Sequence, residues 1–410
     1  MKRMFLAMAF ILSLSTICLA GSPGGNSARN PDPSQYILLN LMYRDSTVQD
    51  FQQIDSVFGS SAQRKIAVGA AYAISYLQYS PAHCDSMLRK VLSLSRQYDI
   101  PVFIRWDGES YWGARPDLWN WWDPNKPGYN PKNKYDVEWD WWSPDSAVKI
   151  GWRNWGSQAR VLPMPNLMAP RYKQACDSAM RRLVPIVVDW WHALPDSLKY
   201  LFAGMSVGWE SAIGVNNWYY NDGNSLLNKP ESDDPTYGLN VHKLPSRGVQ
   251  AIGYAAVSTL GLAHSGQLTA NMIAEVVRVH LEELSKICYD LGVPRDHIFT
   301  HCGGWGKGDP TNYAALNKYS CPGWSFYDFA YDPALDYDPM NALKKNTAPY
   351  WSANEWLYDW GHSTSEINWL LAIENTLSMP KIRYLSIYNW EPVRFNQAAV
   401  EAIRVATKFR

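Results

Sequence analysis

Two short apolar stretches of the chain each end in a glutamate. The first, LFAGMSVGWESAIG (residues 201–214), carries Glu210, and the second, APYWSANEWLYDW (residues 348–360), carries Glu355. A pair of carboxyl groups can do acid–base and nucleophilic chemistry if one stays protonated while the other stays ionised. Trp209 and Trp356 adjoin the two glutamates. Their rings could supply the low-dielectric walls that move carboxyl pKa values apart.

Such a pair fits the cleavage of a glycosidic bond. One carboxyl group protonates the leaving oxygen, and the other, about 5–5.5 Å away, attacks the anomeric carbon when configuration is retained. Either glutamate alone could instead be a strand-end residue that faces solvent or pairs with an arginine. The occurrence of both at the ends of similar apolar runs favours the catalytic hypothesis.

The elements that would position the two glutamates follow from the hydrophobic pattern. Short apolar runs rich in β-branched and aromatic residues indicate buried parallel strands, and apolar residues at helical spacing indicate the connecting helices. The predicted strands are 36–43, 65–73, 100–106, 201–210, 297–301, 323–329, 349–355 and 382–390. The predicted helices are 48–58, 81–97, 171–194, 246–262, 269–291, 365–377 and 396–408.

This alternation predicts an α/β protein with one (β/α)8 TIM-barrel domain over residues 36–410. The carboxyl ends of barrel strands meet on one face, where active sites are built. In the predicted order Glu210 ends the fourth strand and Glu355 the seventh. No helical pattern separates the fifth strand from the sixth.

With the glutamates at these two strand ends, the sequence resembles the retaining (β/α)8 glycoside hydrolases of clan GH-A. The resemblance implies that Glu210 is the acid/base and Glu355 the nucleophile. It also implies that Trp390, in the YNW that ends the eighth strand, floors a sugar subsite. The clan usually has Asn before its acid/base, where this chain has Trp209, and the Asn–Glu pair here is Asn354 and Glu355.

Further strand-end residues could bind substrate or support the pair. Asp107 and Glu391 are candidates for these roles, although each could instead form a buried ion pair, with Arg105 or Arg394. His301 could contact sugar hydroxyl groups, or it could be structural.

Tyr327 could hydrogen-bond the nucleophile or be a core tyrosine. Trp209 and Trp112 complete the predicted substrate-binding set.

Nine of the 21 Trp residues lie in one long segment without helical or strand period, residues 110–170. Flat amphipathic rings suit the apolar faces of sugars, although large cores also use them. The tryptophan density argues against disorder. We therefore expect this segment to pack as one wall of a cleft. Together with the aromatic loop at 214–245, it suggests several sugar subsites, and hence a poly- or oligosaccharide.

Charge and motif content disfavour other classes. Lys plus Arg and Asp plus Glu are equal at 38 each, so nucleic acid is not an expected partner. The histidines show neither HxH nor HExxH spacing, and no GxSxG is present. GGWGKG at 303–308 lacks the spacing of a phosphate-binding loop. We expect neither a metal nor another cofactor.

The N-terminus has the composition of an export signal. Lys2 and Arg3 precede an apolar run, and small residues fit cleavage after Ala20. The predicted protein is therefore secreted or periplasmic, with a signal peptide at 1–20 and a loose leader at 21–35. A lipoprotein signal through Cys18 is a weaker alternative. No second run is long and apolar enough to span a membrane.

An oxidising compartment would permit disulfides. Of the five later cysteines, Cys302 and Cys321 are the predicted bridge because they lie close together in sequence.

Two other functions remain open from the sequence. One is a catalytically inactive barrel that binds carbohydrate through its aromatic residues. The other is an inverting hydrolase in which Glu210 works with a different carboxylate. The sequence does not give the oligomeric state.

Overall fold

The computed structural model describes residues 33–41, 48–62, 64–155, 157–211, 213, 217–234, 249–304, 307–358 and 365–408. The predicted signal peptide and nearly all of the predicted leader lie outside these residues. From Pro31 onward the chain forms one compact unit.

The centre of this unit is a closed barrel of parallel strands. The strands are β1 (Gln35–Leu41), β2 (Ile66–Ser75), β3 (Val102–Asp107), β4 (Phe202–Ser211), β5 (Ile298–Cys302), β6 (Gly323–Phe326), β7 (Trp351–Trp356) and β8 (Ile382–Ile387). Each strand pairs with the next in this order, and β1 pairs with β8 to close the ring. The predicted (β/α)8 barrel is thus confirmed.

Alternate side chains along each strand pack on opposite sides of the barrel wall. In β1, Tyr36 and Leu38 belong to the cluster inside the ring, while Ile37 and Leu39 pack in the larger core that includes the helices. Successive side chains of a strand point to opposite faces, so continuous apolar runs are needed here.

Helices surround the barrel. The longer ones are α1 (Val48–Phe58), α2 (Pro81–Tyr98), α3 (Pro170–Ala193), α4 (Ala270–Asp290), α5 (Tyr337–Leu343), α6 (Glu366–Leu377) and α7 (Gln397–Lys408). Local chemistry sets their starts: the Ser80 side chain accepts the N–H of His83, and Pro81 occupies the first turn of α2. As the sequence pattern implied, a 3-10 turn (Pro310–Ala315) rather than an α-helix joins β5 to β6.

The long segments after β3 and β4 form a small sheet of their own. Strands Gly151–Trp155 and Ser157–Val161 make a hairpin, the hairpin pairs with Asn217–Tyr220, and that strand pairs with Val249–Gln250. The expectation of a strand-free segment at 110–170 is therefore wrong. Trp152 is buried against Tyr220, at 5.0 Å between ring centroids. We call this four-stranded unit the side sheet.

The predicted helix at 246–262 is also wrong in its described part. Val249–Gln250 is a strand, and only Tyr254–Thr259 is helical. Gly253 between them has φ +120°, a backbone conformation that a helix interior cannot contain. Pairing with the side sheet replaces the first helical turns that the apolar spacing suggested.

The predicted Cys302–Cys321 disulfide is absent: all five cysteines in the described part of the chain are free and buried. Cys302 lies beside Trp324, whereas Cys321 lies beside Phe299. The two cysteines are therefore offset by several residues along the barrel, at about 3.3 Å each, which is beyond disulfide reach.

No helix in the described part of the chain is long and apolar enough to cross a bilayer.

Candidate active site

Glu210 and Glu355 meet at the carboxyl ends of β4 and β7. One carboxylate oxygen of each lies within 4.8 Å of the other, and a ring nitrogen of His301 lies within the same distance of both. Both glutamates are buried. The convergence expected from the sequence is therefore present.

The hydroxyl of Tyr327 links the two carboxylates. It donates a short hydrogen bond to Glu355 Oε2, and its oxygen is 3.3 Å from Glu210 Oε1. Tyr327 follows β6 directly and is partly exposed. It thus makes the hydrogen bond to Glu355 that was expected of it.

Irregular pairing near the ends of β4 and β7 sets the directions of the two glutamate side chains. The β4–β5 register shifts between Val207 and Ser211, and the β7–β8 register shifts between Ala353 and Trp356. Such shifts bend a strand and redirect a side chain. Glu210 itself has φ +47°, in the left-handed region. A non-glycine residue in that region costs roughly 1–2 kcal/mol, so its surroundings must hold it there.

Arg105 is the positive charge nearest to Glu355. Its Nη1 lies 3.5 Å from Glu355 Oε1, and both side chains are almost fully buried. Its Nη2 donates to Ser386 Oγ (2.7 Å) and to the backbone carbonyl of Asn354. These bonds fix the guanidinium beside the carboxylate.

The arrangement favours retention of a proton by the pair of carboxyl groups near neutral pH. Burial, with the neighbouring Glu210 carboxylate, raises the pKa of Glu355 to about 8, although Arg105 and Tyr327 act in the opposite direction. Like charges this close cannot both ionise easily. The protons therefore come off the pair in two steps that belong to the pair as a whole.

A hydrogen-bonded chain reaches Glu210 from β5. Ser325 Oγ donates to Glu210 Oε1 (2.7 Å) and lies 2.9 Å from His301 Nε2. Burial and the nearby Arg105 lower the pKa of His301 well below its usual range, so its imidazole is neutral. Because the Ser325 hydrogen points to Glu210, the network assigns the imidazole proton to Nε2.

Trp209 lies beside the same groups. Its ring lies 5.4 Å from the guanidinium carbon of Arg105 and 5.9 Å from the centre of the His301 ring. Trp209 therefore places an apolar ring, which also makes a cation–π contact with Arg105, beside the two glutamates. It stands where the clan usually has Asn.

Asp107 is the last residue of β3, and its oxygens accept protein hydrogen bonds. Oδ1 accepts the backbone N–H groups of Glu109 (3.1 Å) and Ser110 (2.8 Å), and Oδ2 accepts from Ser75 Oγ (3.0 Å). Arg105, its suggested ion-pair partner, lies beside Glu355 instead. In this structure Asp107 shapes the loop.

The residues after β8 are placed differently from the expectation. Trp390 begins the short helix Trp390–Val393, is buried, and has its ring 6.0 Å from that of Phe58. Tyr388, partly exposed, is the aromatic of this stretch whose ring adjoins Tyr327, at 5.7 Å.

Glu391 is half-buried in the same short helix. Its suggested partner Arg394 donates to Gln53 (3.1 Å) and lies 3.9 Å from Asp50.

Trp112 stabilises the long segment after β3. It is buried, its indole N–H donates to the carbonyl of Pro163 (3.1 Å), and its ring packs edge-on against Tyr172. These contacts hold the segment on the barrel.

Three residues of the site were not predicted as members of it: Arg105, Ser325 and Tyr388. Arg105 lies two residues before Asp107, and Ser325 two before Tyr327. Residues two apart in a strand share a face. The two-residue spacing from a predicted site residue could therefore have identified Arg105 and Ser325 from the sequence.

Glu210, His301 and Glu355 also form a donor set of the kind that binds transition metals. The surrounding residues do not fit a cation, however. The Arg105 guanidinium lies beside Glu355, and the Tyr327 hydroxyl takes up the space between the two carboxylates.

No protein-family model and no curated protein sequence matches the chain. Among solved structures it is similar to the catalytic domain of a β-amylase from Paenibacillus polymyxa, at 8% identity and TM-score 0.49, covering 92% of this chain and 98% of that one.

It is also similar to a Bacteroidetes-affiliated GH5 cellulase (9% identity, TM-score 0.45, 92% of each chain). A third similar structure is a β-mannanase from the blue mussel Mytilus edulis (10% identity, TM-score 0.42, 92% of each chain). The predicted resemblance to barrel glycoside hydrolases is confirmed for the fold, on the strand pairing described above.

Proposed function

We propose that the protein is a secreted retaining glycoside hydrolase that cleaves a β-linked poly- or oligosaccharide. The observation that carries the proposal is the approach of the Glu210 and Glu355 carboxylates to within 4.8 Å. Oxygens this close fit the carboxyl separation of about 5–5.5 Å in a retaining pair better than the roughly 6.5–9.5 Å of an inverting pair.

In the first step Glu210 transfers its proton to the glycosidic oxygen. The bond from that oxygen to the anomeric carbon breaks, and the Glu355 carboxylate forms a covalent bond to the same carbon. Arg105 and the Tyr327 hydroxyl favour the ionised form of Glu355. Their placement therefore supports Glu210 as the holder of the shared proton when substrate is bound.

In the second step the ionised Glu210 accepts a proton from a water molecule that attacks the anomeric carbon. Glu355 leaves as a carboxylate, and the sugar is released with its original configuration. The hydrogen bond from Ser325 to Glu210 favours the carboxylate that this step needs.

Partly exposed aromatic residues support a carbohydrate as the substrate. Tyr327 lies beside both carboxylates, the ring of Tyr388 lies 5.7 Å from that of Tyr327, and the aromatic segment after β3 packs onto the barrel. The β-linkage rests on the resemblance to clan GH-A. Export, and hence a substrate outside the cytoplasm, rests on the composition of residues 1–20.

A panel of purified oligo- and polysaccharides tests the proposal. The wild type is expected to release sugar from at least one β-linked member, whereas Glu355→Ala binds that glycan and releases none. Glu210→Ala is expected to lose turnover of natural glycosides while keeping part of its activity on aryl glycosides with activated leaving groups. A wild-type protein that binds a glycan and never cleaves it would instead be the inactive carbohydrate-binding barrel.

A further inference from the structure

Another buried glutamate, Glu109, contacts the end of β4 on both sides of Glu210. Its Oε1 accepts the backbone N–H of Trp209 (3.0 Å) and a short hydrogen bond from the Ser211 hydroxyl. One carboxylate oxygen therefore holds the residue before Glu210 and the residue after it.

The end of β4 needs such a partner because its pairing with β3 stops early. The paired register of the two strands runs to Trp106 and Val207. On the other side, the pairing with β5 is shifted between Val207 and Ser211. The Trp209 N–H thus bonds a side chain where a regular ladder would provide a carbonyl, and a buried N–H without an acceptor would cost about 1–3 kcal/mol.

The backbone around Glu210 is bent. Gly208 has φ +80°, and a Cβ atom there would lie 2.2 Å from Ser211 Oγ, so only glycine fits. Glu210 follows with φ +47°. Glu109 spans this bend, so its contacts act on the conformation that aims the Glu210 side chain.

Glu109 is itself held firmly. Asp107 accepts the N–H groups of Glu109 and Ser110, and the Tyr172 hydroxyl donates to the carbonyl of Gly108 (3.0 Å). Arg153 of the side sheet donates to Ser110 Oγ (3.1 Å). These contacts hold the loop after β3 in place, and through Glu109 the loop fixes the position of the end of β4.

From these contacts we infer that Glu109 is a positioning residue for Glu210, and that it holds the acid/base in the left-handed conformation required for proton donation. The inference rests on the proposed function, because it assigns Glu109 a part in the proton-transfer step. Glu109 does not itself touch the substrate.

Leaving-group dependence tests this role. The substrates are aryl glycosides of the sugar that the wild type releases fastest, one with a phenol and one with a dinitrophenol leaving group. Positioned acid catalysis contributes about 100-fold or more. Glu109→Ala is therefore expected to lower kcat/KM about 100-fold for the phenyl glycoside and by no more than about threefold for the dinitrophenyl glycoside, which leaves without protonation.

Companion variants sharpen the result. Glu109→Gln keeps an acceptor oxygen, so its kcat/KM for the phenyl glycoside is expected to stay within about tenfold of the wild-type value. Ser211→Ala removes one hydrogen bond. Its loss of kcat/KM is expected to be smaller than that of Glu109→Ala, with the same leaving-group dependence. Equal losses on both substrates, no loss, or a Glu109→Gln variant as impaired as Glu109→Ala would overturn the inference. If Glu109→Ala fails to fold, an unchanged Ser211→Ala overturns it alone.

Glu138 offers a matched control. It is also buried and accepts backbone N–H groups away from the pair, those of Ala255 (3.1 Å), Ala256 (3.2 Å) and Trp139 (3.4 Å). Glu138→Ala is expected to lower stability with no leaving-group dependence.

A crystal structure of Glu109→Ala separates this inference from the proposed function. Glu210 is expected to leave the left-handed region whether or not the protein turns over a glycan. An unchanged Glu210 backbone would contradict the inference alone, while a wild type inactive on every glycoside would contradict the proposed function.

Discussion

The two glutamates of the site are chemically identical, and their neighbours make them different. Glu355 has the fixed charge of Arg105 at 3.5 Å and the Tyr327 hydroxyl. Glu210 has the Ser325 hydroxyl and, through it, the neutral imidazole of His301. The assignment of nucleophile and acid/base therefore depends on these neighbours more than on the glutamates themselves.

The shared proton sets the alkaline limit of activity. Since burial and Glu210 raise the pKa of Glu355 to about 8, the pair holds one proton below that pH and loses it above. We expect kcat to fall above about pH 8, approaching tenfold per pH unit, because no acid then remains for the leaving oxygen. Initial rates from pH 5 to 10, with stability checked at each pH, test this; activity that keeps rising to pH 10 would contradict it.

The same raised pKa links stability to pH. Between the ordinary glutamate pKa of 4.5 and about 8, the folded pair keeps a proton that the Glu355 carboxyl group of the unfolded chain has lost. The folded state then binds more protons, so its stability falls as pH rises through this window, by at most about 1.4 kcal/mol per pH unit.

Glu355→Gln removes this titration. We therefore expect the variant to gain stability relative to the wild type between pH 5 and pH 8, measured as the free energy of unfolding in urea. Parallel pH dependence of the two proteins would show that Glu355 has an ordinary pKa.

At the residue level, the sequence was informative for side chains that end a strand and less so for their partners. Glu210, Glu355 and Tyr327 were predicted because each lies at or just after an apolar run. Arg105 and Ser325 contact them only because distant strands become neighbours in the ring, which depends on closure and register. The resemblance to clan GH-A implied that Trp390 floors a sugar subsite. In the structure a short helix places its ring beside Phe58, and the ring of Tyr388 adjoins Tyr327.

At the level of elements, the barrel strands and long helices were predictable and the side sheet was not. The strands are buried on both faces, so their apolar runs are continuous. The side-sheet strands are short and pair segments far apart in sequence, from 151–161 to 217–220 and 249–250. Pairings of this kind leave no local period, which is why the apolar spacing at 246–262 was misread as a helix.

The side sheet joins the loops after β3 and β4, the two strand ends that carry Glu109 and Glu210. Arg153 connects it to the loop after β3, through Ser110 Oγ and the Glu109 carbonyl (3.4 Å). The aromatic segment expected to wall a cleft thus also supports the end of β4.

For the molecule as a whole, closure of the ring is what assembles the site. The strands that carry Arg105, Glu210, His301, Ser325 and Glu355 are β3 to β7, consecutive around the barrel. Chain segments separated by up to 250 positions in the numbering from Arg105 to Glu355 therefore meet on one face. Closure of the barrel brings both glutamates to one face. It also brings them the neighbouring side chains that make their environments different.

The central claim is that Glu355 attacks the sugar directly, so that two displacements restore the original configuration. Proton NMR of the first product formed from the best panel glycan tests this before mutarotation mixes the anomers. We predict that the β-anomer appears first from a β-linked substrate, as two successive inversions require. Initial release of the α-anomer would show a single displacement by water and would contradict the assignment of Glu355 as nucleophile.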